Sequence, residues 1–188
     1  GIKWDKVLNH RVPERYFVCN AGEHEPGTFK DRHLLKTLPH QLIEGCLIAS
    51  HTVNAKASFI YINHEYHEEQ QNLKRAIAQA RERGFIGKNV LGSGIDIELE
   101  IFDGHGSYVA GEETAMLESM QGRPAMPRQK PPFYPTDFGL YGKPTLVNNV
   151  ETLCNIPRIL HKGSSWFTQV GTEKCPGTMM FSLSGAVN

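Results

Sequence analysis

Apolar and polar positions alternate along this chain in blocks that change period. Tyr16–Asn20, YFVCN, is a compact apolar run closed by a polar residue, and it predicts a buried strand. Leu34–Asn54 carries Leu38, Leu42, Ile43, Cys46, Leu47 and Ile48 at helical spacing, with Pro39 as a break point. Ala57–Asn63, ASFIYIN, predicts a second strand. Tyr66–Arg83 predicts an amphipathic helix with Leu73, Ala76, Ile77 and Ala80 inward and Gly84 at its end. Asp96–Phe102, DIELEIF, alternates strictly and predicts a half-exposed strand. The order β-α-β-α-β argues for an α/β layer with a partly parallel sheet.

Between Asp103 and Phe133 the pattern turns to chemistry. Gly104, Gly106 and Gly111 precede adjacent carboxylates, Glu112 and Glu113, and Glu112–Met120 predicts a helix. Glycine permits close backbone approach to a ligand, and a helix start exposes unpaired amide donors. Two acids there suit the helix dipole but oppose a phosphate on the same turn. Carboxylates at such a mouth are better matched to ribose hydroxyls or an amide. The segment beyond, with Arg123, Arg128, Lys130 and Phe133, can bring cations and an aromatic face to the same cleft. Two readings stand beside each other here: a nucleotide site, or a capped helix followed by a surface loop.

The loop after the first strand, Asn20 to Thr28, holds Asn20, Glu23 and Glu25 where ligands gather in open α/β sheets, beyond the carboxyl ends of strands. A plain turn with solvated acids is the competing reading. For His24 in this loop, solvent exposure or loop hydrogen bonding is the expected state. Val147–Leu153 places Asn148 and Asn149 ahead of an apolar-periodic run. They read as a helix start, able to cap it or to donate to a ligand phosphate, and the helix should reach Ile159 or Leu160 and stop at Gly163. Past Gly171 the pattern changes again, and Thr178–Leu183 reads as the first strand of another unit. Gly1–Trp4, GIKW, starts abruptly, and its Lys3 could meet a phosphate or a reduced flavin. The first and last residues read as those of a piece of a longer protein.

Composition narrows the classes. Lys+Arg and Asp+Glu are equal at 20 each, so no basic excess points to nucleic acid. No apolar run approaches a membrane span, and no secretory leader is visible. Cys19, Cys46, Cys154 and Cys175 show no CxxC or CxxH spacing. A zinc or cubane site from this chain alone is therefore not expected, nor is a disulfide framework, and free thiols in a reducing compartment are the expectation.

The stretches CNAGEHEPGTFKDR, GSYVAGEETAMLESMQGRPAMPRQKPPF and YGKPTLVNNVETL, in this order after GIKW, resemble the NADH-binding, FMN-containing flavoprotein subunit of respiratory complex I. The same subunit type occurs in soluble NAD-reducing hydrogenases and NAD-dependent formate dehydrogenases. GxGxxG, the usual dinucleotide signature, is absent. The resemblance implies a modified Rossmann-like flavin-binding domain over residues 1–170, then the truncated start of a ubiquitin-like β-grasp domain over 171–188. It implies FMN contacts at Lys3, Asn20, Tyr108, Gly111, Glu112, Asn148 and Asn149, and NADH contacts at Glu25, Glu113, Lys130 and Phe133. Glu23 joins the cofactor-binding set beside them, and no metal ligand is expected in this chain. The implied activity is an electron-input module, with hydride passing from NADH to FMN and single electrons onward to iron–sulfur clusters. A 4Fe-4S cluster would sit in a later helical domain, and the partners would be a thioredoxin-like 2Fe-2S subunit and other subunits of a quinone-reducing complex. The location implied is cytoplasmic or matrix-side, peripheral to the inner membrane through partners. Alternatives are a diaphorase subunit of an NAD(P)-linked hydrogenase or formate dehydrogenase, and a flavin-free structural paralogue. Three departures stand out: the glycine-rich loop that precedes GIKW in the family is missing, Gly22 stands where an aspartate is usual, and Lys6 stands where an aromatic residue often helps sandwich adenine.

Overall fold

The computed structural model describes residues 1–187. Its centre is a four-stranded sheet in the order β3-β2-β1-β4, built from β1 (Tyr16–Ala21), β2 (Ala57–Asn63), β3 (Leu99–Gly104) and β4 (Thr145–Asn149). Every pairing is parallel. Parallel strands need crossovers that cover both faces, so their residues are buried on both sides. β1 obeys this: Phe17, Cys19 and Ala21 face one core, while Tyr16 and Val18 face the other.

The first core is roofed by α2 (Lys30–Thr37), α3 (Pro39–Thr52), α4 (His67–Glu82) and α7 (Val150–Lys162). Across the sheet, α5 (Glu113–Met120) buries Met116, Leu117 and Met120 against Tyr61 and Val147. Helices α1 (Ile2–Asn9) and α6 (Pro135–Phe138) lie by the edge strand β4, and α8 (Ser164–Thr168) follows α7. Pro39 does break the long helical stretch. It occupies the first turn of α3, directly after Leu38 ends α2.

The structure differs from the sequence-based expectations in four places. α1 has no counterpart among the predicted elements, since GIKW is too short to show a period. β4 replaces part of an expected helix start: VNN reads as a cap, and the run TLV is short and shares its apolar pattern with the helix behind it. β3 begins three residues later than expected, because Ile97 is spent on an antiparallel bridge to Gly87. Thr178–Leu183 is not a strand. Lacking a neighbouring strand among the described residues, it runs extended, with the Met180 amide donating to Glu151 at 2.7 Å and Ser182 Oγ accepting from the Phe29 amide at 2.9 Å.

The α3–α7 contact has no spare volume. A Cβ at Gly45 would lie 2.1 Å from the Leu153 carbonyl oxygen, so the two backbones approach as closely as they do only because residue 45 has no side chain. Gly45→Ala is expected to cost about 1–3 kcal/mol through overpacking, despite alanine's better helix propensity. Urea denaturation checks this, and an unchanged or raised midpoint would show that the helices can separate freely.

Candidate functional site

In the sheet, β1 leads to β2 on one side, while β4 returns on the other. The crevice beyond the carboxyl ends of β1 and β4 is therefore the topological switch point, where open α/β folds bind ligands. The register sets Asn20 beside Asn149 and Cys19 beside Asn148, so three asparagines meet there. A cleft of about 470 Å³ opens at this place, lined in part by Gly22, His24, Glu25, Lys30, Tyr108, Gly111, Glu112 and Asn149. A larger groove of about 930 Å³ lies between α3 and α4 near Leu47 and Phe85. It sits where α4 ends, away from the strand ends, and none of the motif residues reaches it, so size does not decide between them.

Each asparagine is held through its oxygen. Asn20 Oδ1 accepts from the Gly22 amide at 3.1 Å, and its Nδ2 donates to the Gly111 carbonyl at 2.9 Å. Asn148 Oδ1 accepts from Trp4 Nε1 at 2.9 Å. Asn149 Oδ1 accepts from the Glu151 amide at 2.9 Å as the N-cap of α7, and from Lys30 Nζ at 3.2 Å; its Nδ2 donates to Asp31 at 2.7 Å. With two N–H groups per amide, each retains donor capacity while its orientation is fixed. Asn149 is thus both a cap and a site residue.

The carboxylates divide by task. Glu112 is the N-cap of α5: one oxygen accepts from the Thr114 and Ala115 amides at 2.8 and 2.9 Å, the other from Lys130 at 2.7 Å. Burial pushes its carboxyl up, but Lys130, Thr114 and Ala115 outweigh that and hold it below the usual range. Lys130 is correspondingly raised, chiefly by Glu112. Glu113 accepts from Lys3 at 2.7 Å and from Lys130 at 3.3 Å, so the two acids and two lysines form a chain of alternating charge. Glu25 is exposed and accepts from the Tyr108 hydroxyl, which raises that phenol.

Glu23 is turned inward. It is only 8% exposed and accepts from the Asp31 and Arg32 amides at 3.1 Å each, at the start of α2. Burial raises its carboxyl against the pull of those amides. Each of its oxygens is engaged in shaping the loop, while the residue lines the cleft. Phe133 is 44% exposed and edge-on to Phe138 at 5.9 Å; Lys6 lies over the Tyr134 ring at 5.4 Å.

Lys30 and Asp31 also line the cleft, although within CNAGEHEPGTFKDR the sequence reading singles out neither as a site residue. Lys30 Nζ bridges Asp31 at 2.6 Å and Glu151 at 3.1 Å behind Asn149; burial works against its charge, but those acids hold it above the ordinary range. The signal present in the sequence is a Lys-Asp pair directly after the strand-end loop, at a helix start. Trp4 joins the site through α1, which the sequence does not announce. The four cysteines are free, with Cys19, Cys46 and Cys154 buried and Cys154 pushed up to about 12 by burial. Among the described residues no group of three or more His, Cys, Asp or Glu side chains is placed to hold a metal ion. Nor is any helix there long and apolar enough to cross a membrane.

A doubly covered parallel sheet with an amide- and carboxylate-lined crevice at its switch point defines a nucleotide-binding α/β protein. The chain belongs to the family described as the Nuo51 FMN-binding domain, whose model matches residues 1–158. Over its whole length it is 48% identical to a subunit of the NADH-quinone oxidoreductase of Rickettsia felis, and it covers 44% of that protein. It is also 48% identical to the like-named protein of Escherichia coli K12, covering 42% of it. A solved NAD+-reducing NiFe-hydrogenase aligns with 94% of this chain and 29% of its own, at a TM-score of 0.84 and 38% identity. The chain thus spans less than half the length of the curated relatives.

Because Glu112 is held below its unfolded value, the stability it contributes is complete above the ordinary carboxylate range, near 4.3, and is lost as pH falls through the depressed folded value. Glu112→Gln is expected to destabilise the protein at pH 6–7 and to lose that deficit progressively toward pH 3. Thermal melts across that range check it; a deficit independent of pH would mean that the charge contributes nothing.

Proposed function

We propose that this chain binds FMN at the switch-point cleft and NADH beside it, and that it forms the electron-input part of an NADH:quinone oxidoreductase. The observation that carries the reading is the trio Asn20, Asn148 and Asn149 at the strand ends, oxygens engaged and N–H groups available, with Asn149 lining a cleft whose flanking helix starts are already capped. That donor set suits a flat ring edged with carbonyl and imine acceptors better than it suits a phosphate. Gly111 fits the same ligand: a Cβ there would come 3.1 Å from the Gly22 carbonyl oxygen, so this wall of the cleft is close-packed backbone against which a planar ring can lie. Bound FMN would supply the chemistry, accepting a hydride and returning electrons one at a time.

The residues' share is binding and orientation. Asn20, Asn148 and Asn149 would hold the ring edge, with Gly111 beneath it. Glu25, tethered by Tyr108, would orient the nicotinamide amide. Glu113 would accept from the adenosine ribose hydroxyls, and its charge would oppose the additional phosphate of NADPH. Lys3 and Lys130 would offset the charge of the diphosphate once they are drawn from the carboxylates. Phe133 offers an exposed face to the adenine. Lys6, engaged with Tyr134, leaves Phe133 without an opposing ring from that position. No side chain is needed as general acid or base. Residues 171–188 would begin a β-grasp domain. A 4Fe-4S cluster in a later domain and a thioredoxin-like 2Fe-2S subunit would take the electrons, on the cytoplasmic or matrix side.

An anaerobic NADH titration of the FMN-loaded protein tests the reading. Flavin absorbance is expected to bleach at stoichiometric NADH; bound flavin that stays oxidised sinks it. Glu113→Gln is expected to narrow the preference for NADH over NADPH by roughly tenfold, the scale of one screened charge–charge contact. An unchanged ratio of kcat/KM values would remove the residue from cofactor discrimination.

A further inference from the structure

One buried side-chain nitrogen among the described residues has no hydrogen-bond partner: His24 Nε2, in the β1–α2 loop that forms one wall of the cleft. A buried unpaired polar atom costs about 1–3 kcal/mol, so a persistent one calls for a partner that the chain itself does not supply.

The proton on that atom can be placed. The Glu65 amide donates to Asn63 Oδ1 at 3.1 Å, which orients the Asn63 amide and turns its Nδ2 toward His24 Nδ1 at 3.3 Å. An amide nitrogen only donates, so Nδ1 accepts, and in the neutral ring Nε2 carries the hydrogen. Burial lowers the pKa of this imidazole, which favours the neutral ring. His24 therefore offers an N–H donor with no acceptor.

Its surroundings say where the acceptor belongs. A Cβ on Gly22 would lie 3.1 Å from Nε2, and one on Gly111 would lie 3.3 Å from Cδ2 of the same ring. Both glycines line the cleft. His24 itself lines the cleft, flanked by two residues that place no side chain against its ring. A side chain at position 22 would press on Nε2 and require the ring to give by a few tenths of an ångström, so glycine leaves His24 its present place.

We propose that His24 Nε2–H is a ligand-directed donor, completed by an acceptor atom on the edge of the bound flavin ring, and that Gly22 is what admits it. The inference rests on the FMN reading above. It adds a fourth donor to the three asparagine amides, beside Gly22 at the carboxyl end of β1. It also makes the wall at Gly22 neutral and donating.

The test compares FMN dissociation constants, read by flavin fluorescence quenching, for the wild type, His24→Phe and His24→Gln, together with melting temperatures of the FMN-free proteins. His24→Phe keeps the ring shape without the donor, and FMN binding is expected to weaken roughly three- to tenfold, the worth of one neutral hydrogen bond. Its FMN-free melting temperature is expected to hold or rise, because the orphaned polar atom is gone. His24→Gln, which restores an N–H, is expected to recover most of the affinity. Unchanged affinity in His24→Phe overturns the proposal, whatever the melting temperature does. Should that variant not fold, nitrogen-15 histidine NMR of the wild type decides: the His24 Nε2–H proton moves downfield on adding FMN if the proposal holds, and stays in place if it fails. A wild type that binds no FMN overturns both the FMN reading and this inference. A wild type that binds FMN only as tightly as His24→Phe overturns this inference alone.

Discussion

Four helices, α2, α4, α5 and α7, begin at the carboxyl edge of this sheet, α2, α5 and α7 of them beside the cleft, and every helix start leaves backbone N–H groups without partners. The protein meets that requirement with the side chains that line its cleft. Glu23 takes the Asp31 and Arg32 amides of α2, Glu112 takes the Thr114 and Ala115 amides of α5, and Asn149 takes the Glu151 amide of α7. In a dinucleotide fold of the usual kind such a helix start is left open for a phosphate. Here all three are filled, two of them by carboxylates. The cleft that remains is therefore a poor cradle for a phosphate, in keeping with the absence of a GxGxxG signature.

Capping by acids brings a second requirement, since carboxylates gathered at one edge repel one another. Lysines are set among them: Lys30 between Asp31 and Glu151, Lys130 between Glu112 and Glu113, and Lys3 on the far side of Glu113. The inner and outer lysines differ in consequence. Lys30 has 22% of its side chain exposed and is locked behind Asn149, where it fixes the amide's orientation. Lys3, half exposed, spans from α1 to α5, and its pair with Glu113 is worth little in water. It can be exchanged for a ligand at small cost. The inner network therefore fixes geometry, while the outer one keeps its charges close to water.

Much of this is legible in the sequence, for definite reasons. β1, β2 and α4 announce themselves because their burial follows one period without interruption. The adjacent acids at 112 and 113 can be placed at a helix start, and the exclusion of phosphate from that turn follows from charge alone. What cannot be read is what depends on pairing between distant segments. β4 is a strand because β1 lies beside it, and nothing within Thr145–Asn149 separates that state from a helix approach. Glu23 and Glu25 lie two residues apart in one loop, yet one turns inward to cap α2 and the other outward to meet Tyr108. Only the path of the chain after Gly27 decides which does which.

The same dependence explains why the departures at positions 6 and 22 are unequal. Lys6 exchanges an aromatic face for a cation that finds a ring of its own in Tyr134, a local change on an exposed helix. Gly22 lies where β1, β2 and the loop converge, with Asn20 Oδ1, the Tyr61 ring and His24 Nε2 all 3.1–3.3 Å from where a Cβ would sit. Any side chain there must displace one of them. Asn20 is tied at both ends and Tyr61 is fully buried under Phe102, so the half-buried histidine is the neighbour able to give way. A side chain at 22 therefore asks the imidazole at 24 to give by a few tenths of an ångström, and how freely that ring moves decides whether the close-packed wall accommodates both.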